Sequence, residues 1–357
     1  AVENTVGNSE VTWEKVRKQN YGIDLKMFGA RLSLTADYFF EHRYDILSTR
    51  NTLPSIVAIE LPLINLGEVD NRGYEISLGW NSRTEKIDWW VQGNVSYSKN
   101  KIIFMDEVMP NYPWMAQTGR STGLNYGYRF DRFLRADDFD ADGALKSDGE
   151  GKPLLPVMSL GSPRPGDALF KDLNGDGKID GNDKTYFGYS QRPDYVLGLL
   201  GGFRYKNFEI SMQWTAGLHA SRMLSGEYRN AFGSTNGRAL LKFLADGRWT
   251  PENPDARFPR LTFLNKSHYL EDSDLWLMDG SYLRLKVAEI GYTFRDIPAF
   301  RKVGVKSLKV YFSGYNLLTL FSDLNDIDID PEGATSGSNI DSYPNVRIFN
   351  FGVNITF

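Results

Sequence analysis

The sequence predicts an all-β fold, a transmembrane antiparallel β-barrel with long extracellular loops. Three observations predict it. Apolar and polar residues alternate along segments of about nine to eleven residues, the connections between these segments are alternately short and very long, and aromatic residues make up 14% of the chain.

Alternation with a period of two marks each predicted strand. In YEISLGWN, residues 74–81, the apolar side chains of Ile76 and Leu78 alternate with Glu75 and Ser77. Because successive side chains of a strand point to opposite faces, this segment has one apolar face and one polar face. The same period runs through residues 31–41, 89–98, 208–217, 308–315 and 349–357, and none of these apolar faces carries a charge.

Two architectures produce such alternation, and strand length separates them. In a soluble β-sandwich the apolar faces meet in a core, whereas in an outer-membrane barrel they face lipid and the polar faces line a lumen. Strands of soluble proteins average about five to six residues, but a tilted strand needs about nine to eleven to cross a bilayer. The length of the predicted strands therefore favours the barrel.

The connections support the same interpretation. Short connections are predicted at residues 28–30, 82–87 and 206–207, and long ones at 42–71, 132–193, 218–280 and 317–345. Outer-membrane barrels have short periplasmic turns and longer extracellular loops. The segment 132–193 is therefore predicted to be a long extracellular loop.

Orienting the strands by these turns gives a strand count. The segment LNYGYRFDRF, residues 124–133, has to be a strand, and a second strand has to lie between residues 99 and 122 although that stretch alternates poorly. The total is about eleven. Since single-chain bacterial barrels have an even number of strands, residues 1–357 are predicted to form one part of a larger barrel.

Composition excludes several function classes. The formal net charge is -4, which argues against a nucleic-acid partner because such proteins normally carry a basic patch. Cysteine is absent, so disulfides and thiolate metal sites are excluded, and there are only three histidines. No nucleophile or paired-acid arrangement stands out, so the protein is not expected to be an enzyme.

A series of motifs resembles a known family. They are, in order, TWEKVRKQNYGIDLKMFGARLSLTADYFFE, INLGEVDNRGYEISLGW, GRSTGLNYGYRFDRF, KDLNGDGKID, RWTPENPDARFPRL, WLMDGSYLRLKVAEIGYTF, YFSGYNLLTLF with DIDPE, and the terminal FNFGVNITF. Together they resemble the carboxy-terminal part of the SusC/RagA family of TonB-dependent outer-membrane transporters. The resemblance covers nearly the whole chain.

The resemblance implies a fold and a function. It implies a 22-stranded barrel in the outer membrane of a Gram-negative bacterium, with this chain as the C-terminal half and the plug and N-terminal strands outside it. It also implies import of oligosaccharides or peptides, powered through TonB, with a SusD-like surface lipoprotein as a lid. The partners would then be TonB, that lipoprotein, the rest of the barrel and plug, membrane lipids and the solute.

The motif DLNGDGKIDGND, residues 172–183, predicts a Ca²⁺ site. Calcium requires several oxygen ligands, and EF-hand loops supply them from positions 1, 3, 5, 7, 9 and 12 with glycine at position 6, here Gly177. The predicted ligands are Asp172, Asn174, Asp176, the carbonyl of Lys178, Asp180 and Asp183. A solvated turn rich in Asn, Asp and Gly would show the same composition.

Two further sets of residues are candidates for contact with a solute. Lumen-facing charged residues tune selectivity in barrels, although such residues more often pair with one another. The candidates on predicted strands are Asp37, Glu41, Glu75, Glu209 and Lys309, and those in predicted loops are the aromatic residues Trp114 and Tyr228. A soluble, calcium-binding, carbohydrate-recognising β protein is the alternative to the transporter.

Overall fold

A computed structural model describes residues 7–52, 62–84, 87–232, 240–263, 267–295, 297–302, 304–333 and 344–357. Strands predominate in these residues. They are β1 Lys15–Met27, β2 Leu32–Ser48, β3 Ile64–Arg83, β4 Ile87–Phe104, β5 Asn125–Gly127, β6 Phe130–Phe133, β7 Val157–Met158, β8 Ala168–Phe170, β9 Lys178–Ile179, β10 Thr185–Phe187, β11 Tyr195–Tyr205, β12 Phe208–Leu218, β13 Ser221–Met223, β14 Leu277–Asp279, β15 Tyr282–Arg295, β16 Ser307–Leu320 and β17 Ile348–Thr356.

Helices are few and short. The α-helices are α1 Lys242–Asp246, α2 Ser267–Leu270 and α3 Pro298–Lys302, and the 3-10 helices are Pro113–Met115, Ala136–Asp138, Gly181–Asp183, Gly226–Tyr228, Asp274–Trp276 and Asp323–Ile327. Within the described part of the chain, no helix is long and apolar enough to span a membrane.

Nine long strands form one sheet in the order β1-β2-β3-β4-β11-β12-β15-β16-β17. Every neighbouring pair is antiparallel. The strands are joined at one end by short connections, such as residues 28–31 and 206–207, and at the other end by long ones, of which the longest runs from 105 to 194. We refer to these as the short-turn end and the long-loop end.

The register aligns the apolar side chains on one face of this sheet. On β3 and β4, Ile76 is opposite Val95 and Leu78 is opposite Gly93. One row of this face consists of tyrosines on five successive strands, and at the short-turn end Trp80 stacks on Trp89 at a ring distance of 6.3 Å. The tyrosine row comprises Tyr21, Tyr38, Tyr74, Tyr97 and Tyr195.

The two aromatic groups bound an apolar band of defined height. From Tyr74 to Trp80 the strand rises about 20 Å at roughly 3.3 Å per residue. Barrels in outer membranes carry an apolar band about 25 Å tall that is flanked by aromatic girdles on both sides. We call this face of the sheet the outward face, and the opposite, polar face the inner face.

The structure confirms the all-β antiparallel class and corrects the number of strands. Residues 124–133 contribute only β5 and β6, which pair with β10 and β8 outside the large sheet, and no strand lies between residue 105 and residue 122. The large sheet of the described residues therefore has nine strands instead of about eleven. The reason is that β4 pairs directly with β11, so residues 105–194 form a single long connection at the long-loop end.

A glycine on the inner face of β3 permits close approach of the neighbouring strand. A Cβ atom at Gly73 would lie 2.0 Å from the Tyr97 carbonyl oxygen and 2.6 Å from the Phe39 ring. At Gly93, on the outward face of β4, the nearest atom to such a Cβ is 3.9 Å away. The two glycines therefore differ sharply in the space that surrounds them.

We expect Gly73→Ala to lower the free energy of unfolding by about 1–3 kcal/mol, because the methyl group pushes against the backbone of β4. Gly93→Ala is the matched control and is expected to change it by less than about 0.5 kcal/mol. Thermal unfolding of the two variants in the same detergent measures the difference. Equal midpoints for both variants would contradict this account of the strand contact.

Candidate functional site

The inner face carries an ion-pair network close to the short-turn end. Lys309 Nζ lies 2.9 Å from Glu289 Oε1 and 3.7 Å from Glu209 Oε1. Arg204 in turn contacts Glu209 at 2.7 Å and lies 4.0 Å from Asp88. Two predicted solute-contacting residues, Glu209 and Lys309, therefore belong to one network in which each is paired with an opposite charge.

The three remaining predicted acids lie on β2 and β3 in two different situations. Glu41 is paired with Lys18 at 2.7 Å. Asp37 and Glu75 are direct register partners, and Glu75 accepts a hydrogen bond from Ser96 Oγ at 3.2 Å. Neither Asp37 nor Glu75 has an ion-pair partner within the described residues. The inner face therefore presents two adjacent carboxylates that no cation of this part of the chain neutralises.

A buried arginine at the long-loop end was not predicted. The guanidinium of Arg284 donates to Glu332 at 2.7 Å, to Asp330 at 2.9 Å and to Thr319 Oγ1 at 3.0 Å, and its side chain is 4% exposed. Lys286 also contacts Glu332. These contacts attach the connection between β16 and β17 to the inner face, and the sequence signal that could have indicated them is the acidic DPE triplet at residues 330–332.

The hydrophobic core lies among the long connections rather than in the sheet. It comprises Tyr128, Leu134, Phe139, Met158, Ala168, Leu169, Phe170, Ile179, Leu224, Ala231, Leu244, Phe258, Trp276, Met278, Leu324, Ile327 and Ile329. None of these residues belongs to the nine long strands. We call the described residues of 105–194, 219–281 and 321–347 the loop layer, since they pack together around this core.

An ion pair between a buried aspartate and a partly buried arginine joins two segments of the loop layer. Arg260 Nε donates to Asp167 Oδ1 at 2.7 Å, and the second oxygen of Asp167 accepts from the backbone N–H of Arg164 at 2.8 Å. Asp167 is completely buried. The backbone turn at Gly166 has φ +87° and brings Trp249 so close that an added Cβ would lie 2.5 Å from its ring. Both features fix the PGD turn against the segment that follows α1.

Burial also perturbs titrating groups of this layer. Desolvation lowers the pKa of His268, whose Nε2 lies 3.0 Å from the carbonyl oxygen of Gly161. Desolvation, with a contribution from Glu271, raises the pKa of Tyr128 to about 12. Both side chains are therefore neutral at neutral pH, which is consistent with a role in packing.

The predicted calcium loop forms a compact turn. Asp172 accepts from the backbone N–H groups of Gly175 at 2.7 Å and of Gly177 at 2.8 Å. Asp183 is buried and accepts from the N–H of Leu173 at 2.8 Å, so the last position of the motif is tied to the second. The glycines have positive φ angles of +75° and +83°, as the turn requires.

The other predicted ligands form local turns within the same motif. Asn174 Oδ1 accepts from the N–H of Asp176 at 3.0 Å, and Asp176 Oδ1 accepts from the N–H of Lys178 at 2.8 Å. Asp180 accepts from the N–H of Asn182 at 2.8 Å. No group of three or more His, Asp or Glu side chains with metal-binding geometry occurs in the described ranges of the chain.

The two predicted loop aromatics lie inside the loop layer. The indole N–H of Trp114 donates to the carbonyl of Asn182 at 2.9 Å, and its ring stacks on Tyr112 at 4.6 Å. Tyr228 packs on Phe243 at a ring distance of 6.0 Å, and burial raises the pKa of its hydroxyl. Trp114 therefore supports the 172–183 turn, while Tyr228 contributes to the core.

These features together define the wall of an outer-membrane β-barrel. The sheet has an outward apolar band with aromatic borders, a polar inner face and a folded loop layer at one end. The family model described as TonB dependent receptor-like, beta-barrel matches residues 1–317. The chain therefore belongs to this family of outer-membrane barrel proteins, and the soluble alternative is wrong.

Curated relatives agree with this membership. TonB-dependent receptor P3 of Formosa agariphila is 30% identical over 98% of the chain, and TonB-dependent receptor SusC of Bacteroides thetaiotaomicron is 24% identical over 98% of it. The alignments cover 35% and 32% of those proteins, so the chain spans about a third of their length. Proteins of this family are transporters and receptors, which confirms the expectation that the chain is not an enzyme.

Solved structures show the same fold. The chain superposes on a structure of the RagAB peptide importer in the open-open state with a TM-score of 0.68, at 20% identity. The match covers 99% of this chain and 36% of that one. The similarity at this identity concerns the fold alone.

We expect Arg260→Met to destabilise the loop layer by about 3–5 kcal/mol, because it leaves the carboxylate of Asp167 buried without its cation. Arg135→Met is the matched control, since the Arg135–Asp255 pair is exposed and such pairs contribute about 0–1 kcal/mol. Hydrogen exchange at the amides of Leu134 and Gly166 measures the opening free energy. Unchanged protection in Arg260→Met would contradict the role of the pair.

Proposed function

We propose that this chain forms part of the barrel wall and of the external loops of a transporter that imports oligosaccharides or peptides across the outer membrane. The observation that carries the proposal is a sheet with an apolar outward face and a polar inner face, with the loop layer at one end. Such a wall separates lipid from a hydrated passage. The remaining wall, which pairs with the edge strands β1 and β17, belongs to the rest of the complete protein.

The partners of the complete protein are part of the proposal. The family's name supports energy input from TonB, and the similarity to SusC and to one chain of the RagAB assembly supports a SusD-like lipoprotein at the external end. The loop layer suits such a partner because its core holds the connections in one arrangement before any partner binds. Preordered loops lose less conformational entropy on association than mobile ones.

Among the inner-face residues, Asp37 and Glu75 are the best candidates for contact with the solute. They are the two predicted acids without an ion-pair partner in the described residues, whereas Glu209, Lys309 and Glu41 are each paired. A carboxylate accepts hydrogen bonds from sugar hydroxyls and from peptide N–H or ammonium groups. The paired residues maintain a hydrated wall instead.

We expect deletion of the gene for the complete protein to abolish growth on one class of nutrient. Growth on matched panels of defined oligosaccharides and peptides, each as the limiting nutrient, identifies that class. Restoration by the wild-type gene is the control. Normal growth of the deletion strain on every member of both panels, in a background without related transporters, would contradict the proposed import function.

We expect the double substitution Asp37→Asn with Glu75→Gln to raise the solute concentration for half-maximal uptake roughly tenfold, since hydrogen bonds to charged groups contribute about 1.5–3 kcal/mol. Glu209→Gln is the control and is expected to change it less than about twofold. Uptake of the labelled solute in cells with equal amounts of surface protein gives both values. The assignment of Asp37 and Glu75 fails if the double variant and the control behave alike.

We further propose that Ca²⁺ binds the 172–183 turn. The support is the EF-hand spacing together with the observed closure of the turn by Asp172 and Asp183. The ion would use carboxylate oxygens that now accept local N–H groups, with the carbonyl of Lys178 as a further ligand. Its role would be to hold the turn, and through Trp114 the adjoining segment, in one conformation.

We expect calcium to bind with a dissociation constant of about 10⁻⁴–10⁻³ M, the range of extracellular calcium modules. Asp176→Ala should weaken binding most, because it removes a charged ligand beside Gly177. Asp142→Ala is the control, because its loop, residues 138–150, has the same initial spacing but carries Lys146 and Gly149 at positions 9 and 12, where a calcium loop needs oxygen ligands. Calorimetry that shows no calcium-dependent heat for the wild-type protein, or the same heat for Asp176→Ala, would exclude the site.

A further inference from the structure

A cavity of about 500 Å³ lies on the outward face near the long-loop end of β2, β3 and β4. Its walls are formed by the parts of these strands nearest the long-loop end and by the loop segments around residues 119–124 and 188–190. Arg72, Lys99, Lys101 and Arg120 line it. Every strand residue that lines it except Asn100 lies on the same face of the sheet as the tyrosine row, so the cavity is on the outward face.

The register fixes the height of this cavity relative to the membrane. Arg72 is the register partner of Lys99, and these residues directly follow the Tyr74–Tyr97 pair toward the long-loop end. Lys101 lies opposite Asp70, one step further. A strand rises roughly 3.3 Å per residue, so Arg72 and Lys99 lie about 7 Å, and Lys101 about 13 Å, from the tyrosine row toward the long-loop end. Tyrosine belts lie at the boundary between hydrocarbon and headgroups, so the cavity lies at the level of the outer-leaflet headgroups.

The cavity has an excess of positive charge. Its two acids are already engaged, since Asp70 lies 2.7 Å from His42, and Asp194 is 4.0 Å from Lys99 and 3.9 Å from the ring of His219. Four cations therefore line the cavity together with two carboxylates that already have close contacts.

The four cations differ in how free they are to bind a ligand. Arg120 is held in place, because it donates to the carbonyls of Ala116 at 2.7 Å and Trp114 at 3.1 Å and lies over the ring of Tyr186. Arg72 and Lys101 are exposed and have no ion-pair partner within the described residues. These two side chains therefore supply the available charge.

The lining also contains apolar side chains. Phe40, Ile103 and Leu124 line the cavity together with the cations. A ligand that matches this lining has an anionic group next to apolar matter. A phosphorylated lipid headgroup meets both requirements, and the membrane delivers it at the correct height and at high local concentration.

We propose that this cavity binds the phosphate of an outer-leaflet lipid headgroup, with Arg72 and Lys101 as the principal contacts. The planar guanidinium of Arg72 can donate two parallel hydrogen bonds to one phosphate, and Lys101 acts as a point charge beside it. Lys99 and Arg120 add to the positive field. A bound lipid at this place would fix the barrel wall next to the base of the long connection 105–194.

The test uses the complete protein, purified from outer membranes and exchanged into detergent, with native mass spectrometry to count bound lipid. The probes are lipid A and the same lipid after removal of its phosphates. The wild-type protein is expected to bind the phosphorylated lipid at least tenfold more tightly. Arg72→Gln with Lys101→Gln should reduce that affinity roughly tenfold or more, since each cation near an anionic membrane surface contributes about 1 kcal/mol.

Two further variants keep the test independent of folding. Lys146→Gln with Lys152→Gln removes the same charge from exposed loop positions and is expected to leave binding unchanged. Arg72→Lys with Lys101→Arg keeps the charge and should retain most of the affinity. Equal binding of both lipids, an unaffected Gln double variant, or full displacement of lipid A by millimolar inorganic phosphate would each overturn the proposal, the last because it would indicate a site for a free anion.

Discussion

The whole structure depends on one constraint, the absence of water from the hydrocarbon region of a bilayer. Each backbone N–H and C=O that crosses it needs a partner in the protein, because an unsatisfied group costs several kcal/mol there. The nine long strands meet this requirement with a continuous antiparallel ladder from β1 to β17. The alternation of side chains follows from it, since one face of such a ladder contacts lipid and the other contacts the hydrated interior. At Gly73 the neighbouring strand is so close that the carbonyl oxygen of Tyr97 lies where a side chain would begin.

The same constraint explains why the hydrophobic core lies outside the sheet. The apolar side chains of the strands contact lipid, so they do not form a hydrophobic core inside the barrel. The long connections therefore need a core of their own, which they build from all three segments of the loop layer. The buried carboxylate of Asp167 pairs with Arg260 beside that core, and Arg284 attaches the last connection to the inner face. The described residues of the loop layer are thus a packed structure that can present a fixed surface at the external end.

The sequence predicted the features that have a local period and did not predict those that depend on distant partners. The alternation of Ile76 and Leu78 with polar neighbours is a property of adjacent residues, and the sheet confirms it. The short alternating run at 124–133 has the same period, but its strands pair within the loop layer, and periodicity alone does not identify a strand's partner. Asp167 and Arg260 are 93 residues apart, so nothing in either segment indicates their contact. Trp114 could be recognised as a loop aromatic, but its hydrogen bond to the 172–183 turn required the fold.

The most direct test of the account is the orientation of one strand in the outer membrane. Single cysteines are placed in the complete protein at residues 75, 76, 77 and 78 of β3, since residues 1–357 contain none, and the unsubstituted protein gives the background labelling from the rest of the protein. A small, water-soluble, membrane-impermeant thiol reagent is then applied to purified outer membranes. Labelling should alternate, with residues 75 and 77 reactive from the hydrated interior and residues 76 and 78 protected by lipid. Equal labelling at all four positions, or labelling with the opposite alternation, would contradict the assignment of the two faces and with it the proposed passage.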